Sequence, residues 1–245
     1  MMPSLYDDET FFAAYAAMPR SRGGLAAAGE WHQLRPLLPP PTGKRVLDLG
    51  CGYGWHCRYA AQQGAAKVLG LDASRRMIAQ ARACNPGECI SYRVCGIEEY
   101  EYPARQWDCV ISNLALHYLA DLDSVYANVF RTLTPGGVFL FNIEHPVYTA
   151  GVGQDWLYDE NGRPICWPVD DYYYPGARRT HFLGCEVTKQ HHTLTQILMG
   201  LLRQGFVLQA VEEAQPPQEM LNEPGMADEM RRPMMLLVKA AKPGD

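Results

Sequence analysis

The segment Val46-Leu47-Asp48-Leu49-Gly50-Cys51-Gly52-Tyr53-Gly54 constrains this chain more than any other, because it joins a short apolar run to a loop with glycine at alternate positions. The apolar run reads as a buried strand, and glycine lets the backbone after it take positive φ and approach a ligand with no Cβ in between. Trp55 to Gln63 then reads as a helix whose first turn aims free N–H groups and a positive dipole end at the same ligand. A second apolar strand, Lys67-Val68-Leu69-Gly70-Leu71-Asp72, ends in an acid about twenty residues on, the distance at which such folds hold ribose hydroxyls. Asp48 and Asp72 are thus expected to flank one crevice.

A phosphate-binding loop of this kind carries its third glycine one residue later, where this chain has Trp55, and an acid at Asp48 would repel a diphosphate. Those two positions disfavour a nicotinamide dehydrogenase. An acid there suits a cofactor bearing a cation, and S-adenosylmethionine carries both a sulfonium and an ammonium group. The loop, Asp72, and Leu133-Thr134-Pro135-Gly136-Gly137 ahead of a strand resemble the class I S-adenosylmethionine-dependent methyltransferases in order and spacing. The resemblance runs from Lys44 to Asn142. Tyr6-Asp7-Asp8, Met18-Pro19-Arg20-Ser21, Ala28-Gly29-Glu30-Trp31-His32, Glu144-His145-Pro146 and Arg231-Arg232-Pro233 extend it to a bacterial subgroup of small-molecule methyltransferases of unassigned substrate. It implies S-adenosylmethionine as cofactor, S-adenosylhomocysteine as product, and transfer to an oxygen or nitrogen of a small acceptor. Two rivals stay open: a regulatory protein that binds the cofactor without turnover, and a nucleic-acid methyltransferase.

The second rival is weakened by charge. The 245 residues carry a net charge of -5 and no dense Lys/Arg run, so a face that neutralises many phosphates is not expected. Arg178-Arg179 and Arg231-Arg232 read as solvated or acid-paired surface. The start, Met1-Met2-Pro3-Ser4 followed by Asp7-Asp8-Glu9, lacks the layout of a secretory signal, and no stretch reaches the length of a membrane span. Eight cysteines without a Cys-x-x-Cys pair fit reduced thiols, and together these features point to the cytoplasm.

Strands and helices alternate from Lys44, which gives a Rossmann-like, doubly wound α/β sheet in a single domain. Strands are expected near 45–50, 67–71, 89–95, 107–113, 137–144, 206–213 and 233–241, and helices near 54–64, 74–84, 121–133 and 193–204. Pro135-Gly136-Gly137 is expected to stop the third of these helices. The resemblance makes the sheet mostly parallel with an antiparallel last strand. Residues 1–43 read as an N-terminal helical lid, and Pro19-Arg20-Ser21-Arg22-Gly23-Gly24 leaves two readings open: a flexible hinge, or a helix packed permanently on the domain. The cofactor-binding core covers 44–144, and 191–245 complete it. Between them, 145–190 is a long insertion rich in aromatic residues, Gly and Pro, read as a substrate cap.

Within that frame Asp48, Gly50, Cys51, Gly52, Asp72 and Ala73 are candidate cofactor contacts. The resemblance adds Ile97 over the adenine, and Glu98 in place of the acid that many members carry where this chain has Gly96. It also adds Asn113 and Leu114 beside the methionine part, and Tyr15 and Arg20 closing over the cofactor, Arg20 against its carboxylate. Two histidines are candidate catalytic groups. His117 follows the fourth strand, and His145 ends the fifth, at the sheet edge where open α/β folds bind ligands, with Glu144 able to orient it. No metal site is expected: His191 and His192 are adjacent and point to opposite faces of an extended strand. Tyr172, Tyr173 and Tyr174 are candidates for an aromatic box around the acceptor.

Overall fold

The computed structural model describes residues 4–244; Met1, Met2, Pro3 and Asp245 lie outside the described residues, and with them the first residues of the expected lid and of the start read as lacking a signal. The N-terminal segment begins with α1 (Glu9–Ala17), capped by the Asp8 carboxylate, which accepts from Phe11 N at 2.9 Å. Next comes α2 (Pro19–Gly23), with proline at its first position, where the missing N–H costs nothing. Residues 19–24 thus form a helical turn packed on the domain, the second of the two readings. Ser21 is buried, and a Cβ on Gly24 would stand 2.8 Å from the Trp55 ring, so the turn is closely packed here. Helix α3 (Trp31–Leu37) completes the segment.

The core then runs β1 (Arg45–Leu49), α4 (Trp55–Gln62), β2 (Lys67–Asp72), α5 (Arg75–Cys84), β3 (Ile90–Val94), β4 (Trp107–Asn113), α6 (Leu122–Thr132) and β5 (Leu133–Glu144). The insertion holds α7 (Pro146–Thr149), the two-stranded ribbon β6 (Leu157–Tyr158) with β7 (Pro164–Cys166), and the hairpin β8 (Gly176–Phe182) with β9 (Cys185–His191). It is structured throughout much of its length and is not a long loop. The chain closes with α8 (Leu194–Arg203), β10 (Val207–Ala214), α9 (Met226–Glu229) and β11 (Met235–Ala241).

The described residues build a seven-stranded sheet in the order β10-β11-β5-β4-β1-β2-β3. The strands from β1 to β5 pair in parallel, and β11 runs antiparallel to both β5 and β10. Helix α6 ends at Thr132, and β5 already starts at Leu133, opposite Trp107; the ladder resumes at Val138 opposite Cys109. Pro135-Gly136-Gly137 is thus a bulge inside the strand and not the helix stop. Proline without an N–H and Gly136 at φ +73° fit this break in the ladder to β4, while Gly136 N and Gly137 O bond to Lys242 on the other side.

Strand periodicity divides the core. Leu47 and Leu49 face a cluster with Val110, Phe139, Phe141 and Tyr126, whereas Val46 faces the α4 side with Cys57, Ala60, Val68 and Ile111. Asp48 shares the Val46 face, and register carries that face through Asn113 on β4 to Asn142 and Glu144 on β5. Among the described residues no helix is long and apolar enough to cross a membrane.

Candidate active site

A cavity of about 860 Å³ opens along the C-terminal ends of β2, β1, β4 and β5, beneath the N-terminal segment and the β8–β9 hairpin. That volume lies at the upper end of the range for small-molecule sites. Of the expected contacts, Tyr15, Arg20, Gly50, Cys51, Gly52, Asp72, Ala73, Ile97, Glu98, Asn113, Leu114 and His117 all line it. Asp48 and His145 do not.

The loop after β1 is shaped by backbone. Gly50, Gly52 and Gly54 have φ of +74°, +51° and +76°. A Cβ on Gly50 would lie 2.4 Å from the Ala115 Cβ, and one on Gly54 2.3 Å from the Tyr92 hydroxyl, so both close approaches require glycine. Gly50 N and Cys51 N both donate to Leu71 O at 2.8 Å, which ties the loop to the end of β2. There Asp72 accepts from Gly52 N at 2.9 Å and from Ser74 N at 2.8 Å, one bond on each oxygen. Each oxygen keeps a lone pair for a further donor. Burial pushes the Asp72 carboxyl up to about 6 in spite of those two donors.

Asp48 sits below this loop. It is 1% exposed, Cys57 Sγ donates to its Oδ2 at 3.3 Å, and its Oδ1 has no partner. Period-two alternation accounts for this, because the Val46 face is the α4 face. Burial lifts its carboxyl to about 7, so direct contact with a cationic ligand gives way to a place in the support of the loop.

On the neighbouring side, Gly24, just after α2, packs on Trp55 in the first turn of α4. Arg20 donates from Nη2 to both oxygens of the buried Glu30, at 2.8 and 2.6 Å, leaving its Nε and Nη1 donors for another anion. Glu30 also accepts from Asn113 Nδ2 at 3.3 Å. Ser21 Oγ, Trp55 Nε1 and His56 Nε2 line the same stretch of cavity, buried and without partners. The N-terminal segment is pinned here as well: Ser74 Oγ donates to Asp7 Oδ1 at 2.7 Å, and the Tyr6 and Tyr118 hydroxyls are 3.0 Å apart. Ile97 opens a short turn closed by Glu99, whose Oε2 accepts from Gly96 N at 3.1 Å; Glu98 lies exposed at the rim.

The far end is built from side chains. His117 is 3% exposed; its Nε2 lies 3.8 Å from Glu144 Oε1, beyond hydrogen-bond reach, and its Nδ1 is buried without a partner. Burial lowers it to about 4, so the ring is neutral at pH 7. Lys189 Nζ donates to Glu144 Oε1 at 2.5 Å and to Gln154 Oε1 at 3.4 Å, and lies over the Tyr148 and Phe182 rings at 5.6 and 5.5 Å. Sequence reasoning missed Lys189 and the bridging Glu30. The readable signal for Lys189 was its alternation with Val187 and His191, which puts an ammonium on the buried face of a strand.

Several expectations on this side are corrected. His145 caps α7, its Nδ1 accepting from Val147 N at 3.1 Å, while Nε2 meets Glu213 Oε1 on β10 at 3.1 Å. Both nitrogens are engaged away from the cavity lining, and Glu144 turns to Lys189 and not to His145. Tyr173 and Tyr174 are 85% and 72% exposed, and the Tyr172 hydroxyl accepts from Leu194 N, so the tyrosine run fastens the insertion and forms no box. His191 bridges Thr149 Oγ1 and Tyr172 O at 2.7 and 2.8 Å, and His192 Nε2 contacts Leu119 O at 2.9 Å. Of the two readings of Arg231-Arg232, acid pairing holds: Arg231 pairs with Asp228 at 2.9 Å, and Arg232, buried, pairs with Glu229 at 2.7 Å and lies over Trp167 at 4.4 Å.

With this geometry in hand, comparison with known proteins is direct. Residues 47–141 match the model of a methyltransferase domain. A Listeria monocytogenes protein described as an S-adenosylmethionine-dependent methyltransferase is 46% identical, with TM-score 0.85 over 89% of this chain and 99% of its own. An S-adenosylmethionine-dependent methyltransferase from Mesorhizobium loti is 42% identical, with TM-score 0.82 over 89% of this chain and 100% of its own. An uncharacterised protein of Haemophilus influenzae is 28% identical over 98% of this chain and 97% of its own.

Proposed function

Because this chain belongs to the class I S-adenosylmethionine-dependent methyltransferases, we propose that it methylates an oxygen or nitrogen of a small-molecule acceptor, with His117 taking the acceptor's proton. One observation carries the reading. A neutral imidazole with no hydrogen bond on either nitrogen lines the same cavity as the glycine loop and Asp72, at the opposite end. Buried polar groups are ordinarily paired, and exceptions concentrate where a site meets its ligand.

Bound S-adenosylmethionine supplies a methyl group on a sulfonium, an electrophile that needs alignment and the exclusion of water. The residues fit it. Asp72 offers a free lone pair on each oxygen to the ribose, and Ile97 offers an apolar surface to the base. Arg20 Nε and Nη1, with the Ser21 hydroxyl and Trp55 Nε1 nearby, offer donors to a carboxylate. The pinned N-terminal segment covers this end and keeps water out, which is where positioning yields most of its rate gain. At pH 7 the His117 ring holds a lone pair ready for a proton, and Glu144 stands close enough to stabilise the cation that results. Eight free cysteines support the cytoplasm as its compartment.

Calorimetry with S-adenosylhomocysteine tests the cofactor half. Wild type binds, and Asp72→Ala binds about 100-fold more weakly, as expected for losing two bonds to a charged group. Unchanged affinity in that variant removes the ribose assignment. Release of S-adenosylhomocysteine from S-adenosylmethionine with a metabolite extract tests the acceptor half; binding without release across a broad extract favours the regulatory reading.

A further inference from the structure

We propose that the part of the cavity beneath the β8–β9 hairpin is the acceptor site, that it selects an uncharged hydroxyl compound with an apolar body, and that Lys189 is the positioning residue that holds Glu144 beside His117. The inference rests on the methyl-transfer reading above and names its substrate class.

Sheet order fixes the location. Asp72 on β2 and Glu144 on β5 are three strands apart, about 14 Å at ordinary strand spacing. The glycine loop and Asp72 occupy the β1 to β2 side, and the Arg20–Glu30 pair sits over Asn113 on β4 and Asn142 on β5, which leaves the stretch lined by His117, Glu144 and the hairpin as the remaining end.

Charge decides what that end accepts. Among the described residues, Arg20 and Lys189 are the only Lys or Arg side chains lining the cavity, and each is bonded to a buried acid. Glu98 and Glu186 stand exposed at its rim. With the remaining Arg20 donors taken by the cofactor carboxylate, an acceptor bearing phosphate or carboxylate would find no uncommitted cation and would pass two acids on entry. A protonated amine would have to sit beside the buried Lys189 ammonium, which already lies over the Tyr148 and Phe182 rings and is bonded to Glu144 Oε1, so that only Glu144 Oε2 is left to meet it against that repulsion. A neutral molecule remains. The His117 ring offers one donor and one acceptor, the same pair a hydroxyl presents, and Tyr118, Val187 and Met234 supply apolar lining for its body.

Lys189 is buried to 4% exposure, a costly place for an ammonium unless it is paired. Its bond to Glu144 fixes that carboxylate at the His117 Nε2 edge. In the transfer, the acceptor oxygen forms a bond to the methyl carbon and gives its proton to His117. The carbon–sulfur bond breaks with its electron pair on sulfur, and S-adenosylhomocysteine leaves.

The test is calorimetry on the protein saturated with S-adenosylhomocysteine, using three probes on one ring: 4-methylphenol, 4-hydroxybenzoate and tyramine. The phenol is expected to bind about tenfold or more tightly than either charged probe, the equivalent of one unmet polar group. Lys189→Met is expected to weaken the phenol about tenfold while S-adenosylhomocysteine stays within about twofold, since the two ends share no partner. Equal binding of a charged probe, or an unchanged phenol affinity in the variant, overturns the proposal.

A pH series separates positioning from packing. His117 is faced by Glu144 from β5, by Lys189 from β9, and by Tyr118 from its own turn. Removing Lys189 leaves an unpaired carboxylate beside the ring, so its protonation midpoint rises; Glu144→Gln leaves the ammonium, so the midpoint falls. The double variant with Glu144→Gln and Lys189→Met buries no charge, folds without the pair, and returns the midpoint between the two. Shifts of the same sign overturn the positioning role. Failure of S-adenosylhomocysteine to bind wild type overturns the methyl-transfer reading itself, and this inference with it.

Discussion

The two ends of the cavity are held in different ways. At the Asp72 end the shape comes from backbone: three left-handed glycines, two amides bonded to Leu71 O, and a carboxylate clasped by Gly52 N and Ser74 N. At the Glu144 end it comes from side chains supplied by a turn, a sheet edge and a hairpin, at positions 117, 144 and 189. Backbone cradles are rigid and generic, which suits a cofactor. Side-chain clusters are replaceable one residue at a time, which suits an acceptor that differs between relatives.

Gly50→Ala should break this comparison most severely if it is wrong. The added methyl would sit 2.4 Å from Ala115 Cβ on a residue at φ +74°. Overpacking with left-handed strain costs about 2 to 4 kcal/mol, and the displaced loop should bind S-adenosylhomocysteine at least about 100-fold more weakly. Thermal unfolding and calorimetry read both effects. A variant that keeps wild-type affinity would show that side chains, not the turn, hold the cofactor.

The same contrast explains what the sequence disclosed. The parallel core and the glycine-loop end of the lining were legible because Val46 to Gly54 and Lys67 to Asp72 write backbone geometry into adjacent residues, whereas the antiparallel β11 and the lining residues Tyr15, Arg20, Ile97, Glu98, Asn113 and Leu114 came from the family resemblance. The acceptor end was not. Lys189 meets Glu144 only through the pairing of β8 with β9 and the docking of that hairpin, neither of which is local. His145 misled for a related reason: its place at the end of β5 was right, but the chain turns into α7 there and spends the ring on its cap. Between a hinge and a packed helix at 19–24 the sequence could not choose, because the contact of Gly24 with Trp55 joins residues thirty-one apart along the chain.

Asp48 sharpens the comparison from below. It belongs to the same local motif as the loop, yet it is buried against Cys57, with its carboxyl raised by burial from 3.8 to about 7. The sign is that of a raised acid. Stability is full below pH 3.8, falls as the unfolded chain ionises while the folded one does not, and levels off above pH 7. Asp48→Asn should remove this loss. It should exceed wild type in stability by roughly 4 kcal/mol at pH 8, at 1.36 kcal/mol per unit, and match it at pH 3.5. Urea midpoints across that range check it, and a pH-independent difference between the two proteins would rule out the ionisation penalty.

The smallest effect is expected at His145, and it divides the two histidines. His145→Ala loses the cap on Val147 N and an ion pair whose Glu213 partner is 60% exposed, contributions of about 1 kcal/mol and under about 1 kcal/mol. In a chain of this length that lowers the unfolding temperature by only about 2 to 4 °C per kcal/mol. Turnover should stay within about twofold, because neither ring nitrogen belongs to the cavity lining, whereas His117→Ala should lower it by about 100-fold if that ring takes the proton. Paired rate measurements on the two variants, each normalised to S-adenosylhomocysteine affinity, decide between them. A large loss at His145 with little at His117 would move the chemistry to the β10 side of the sheet edge, and the acceptor end would have to be rebuilt around Glu213.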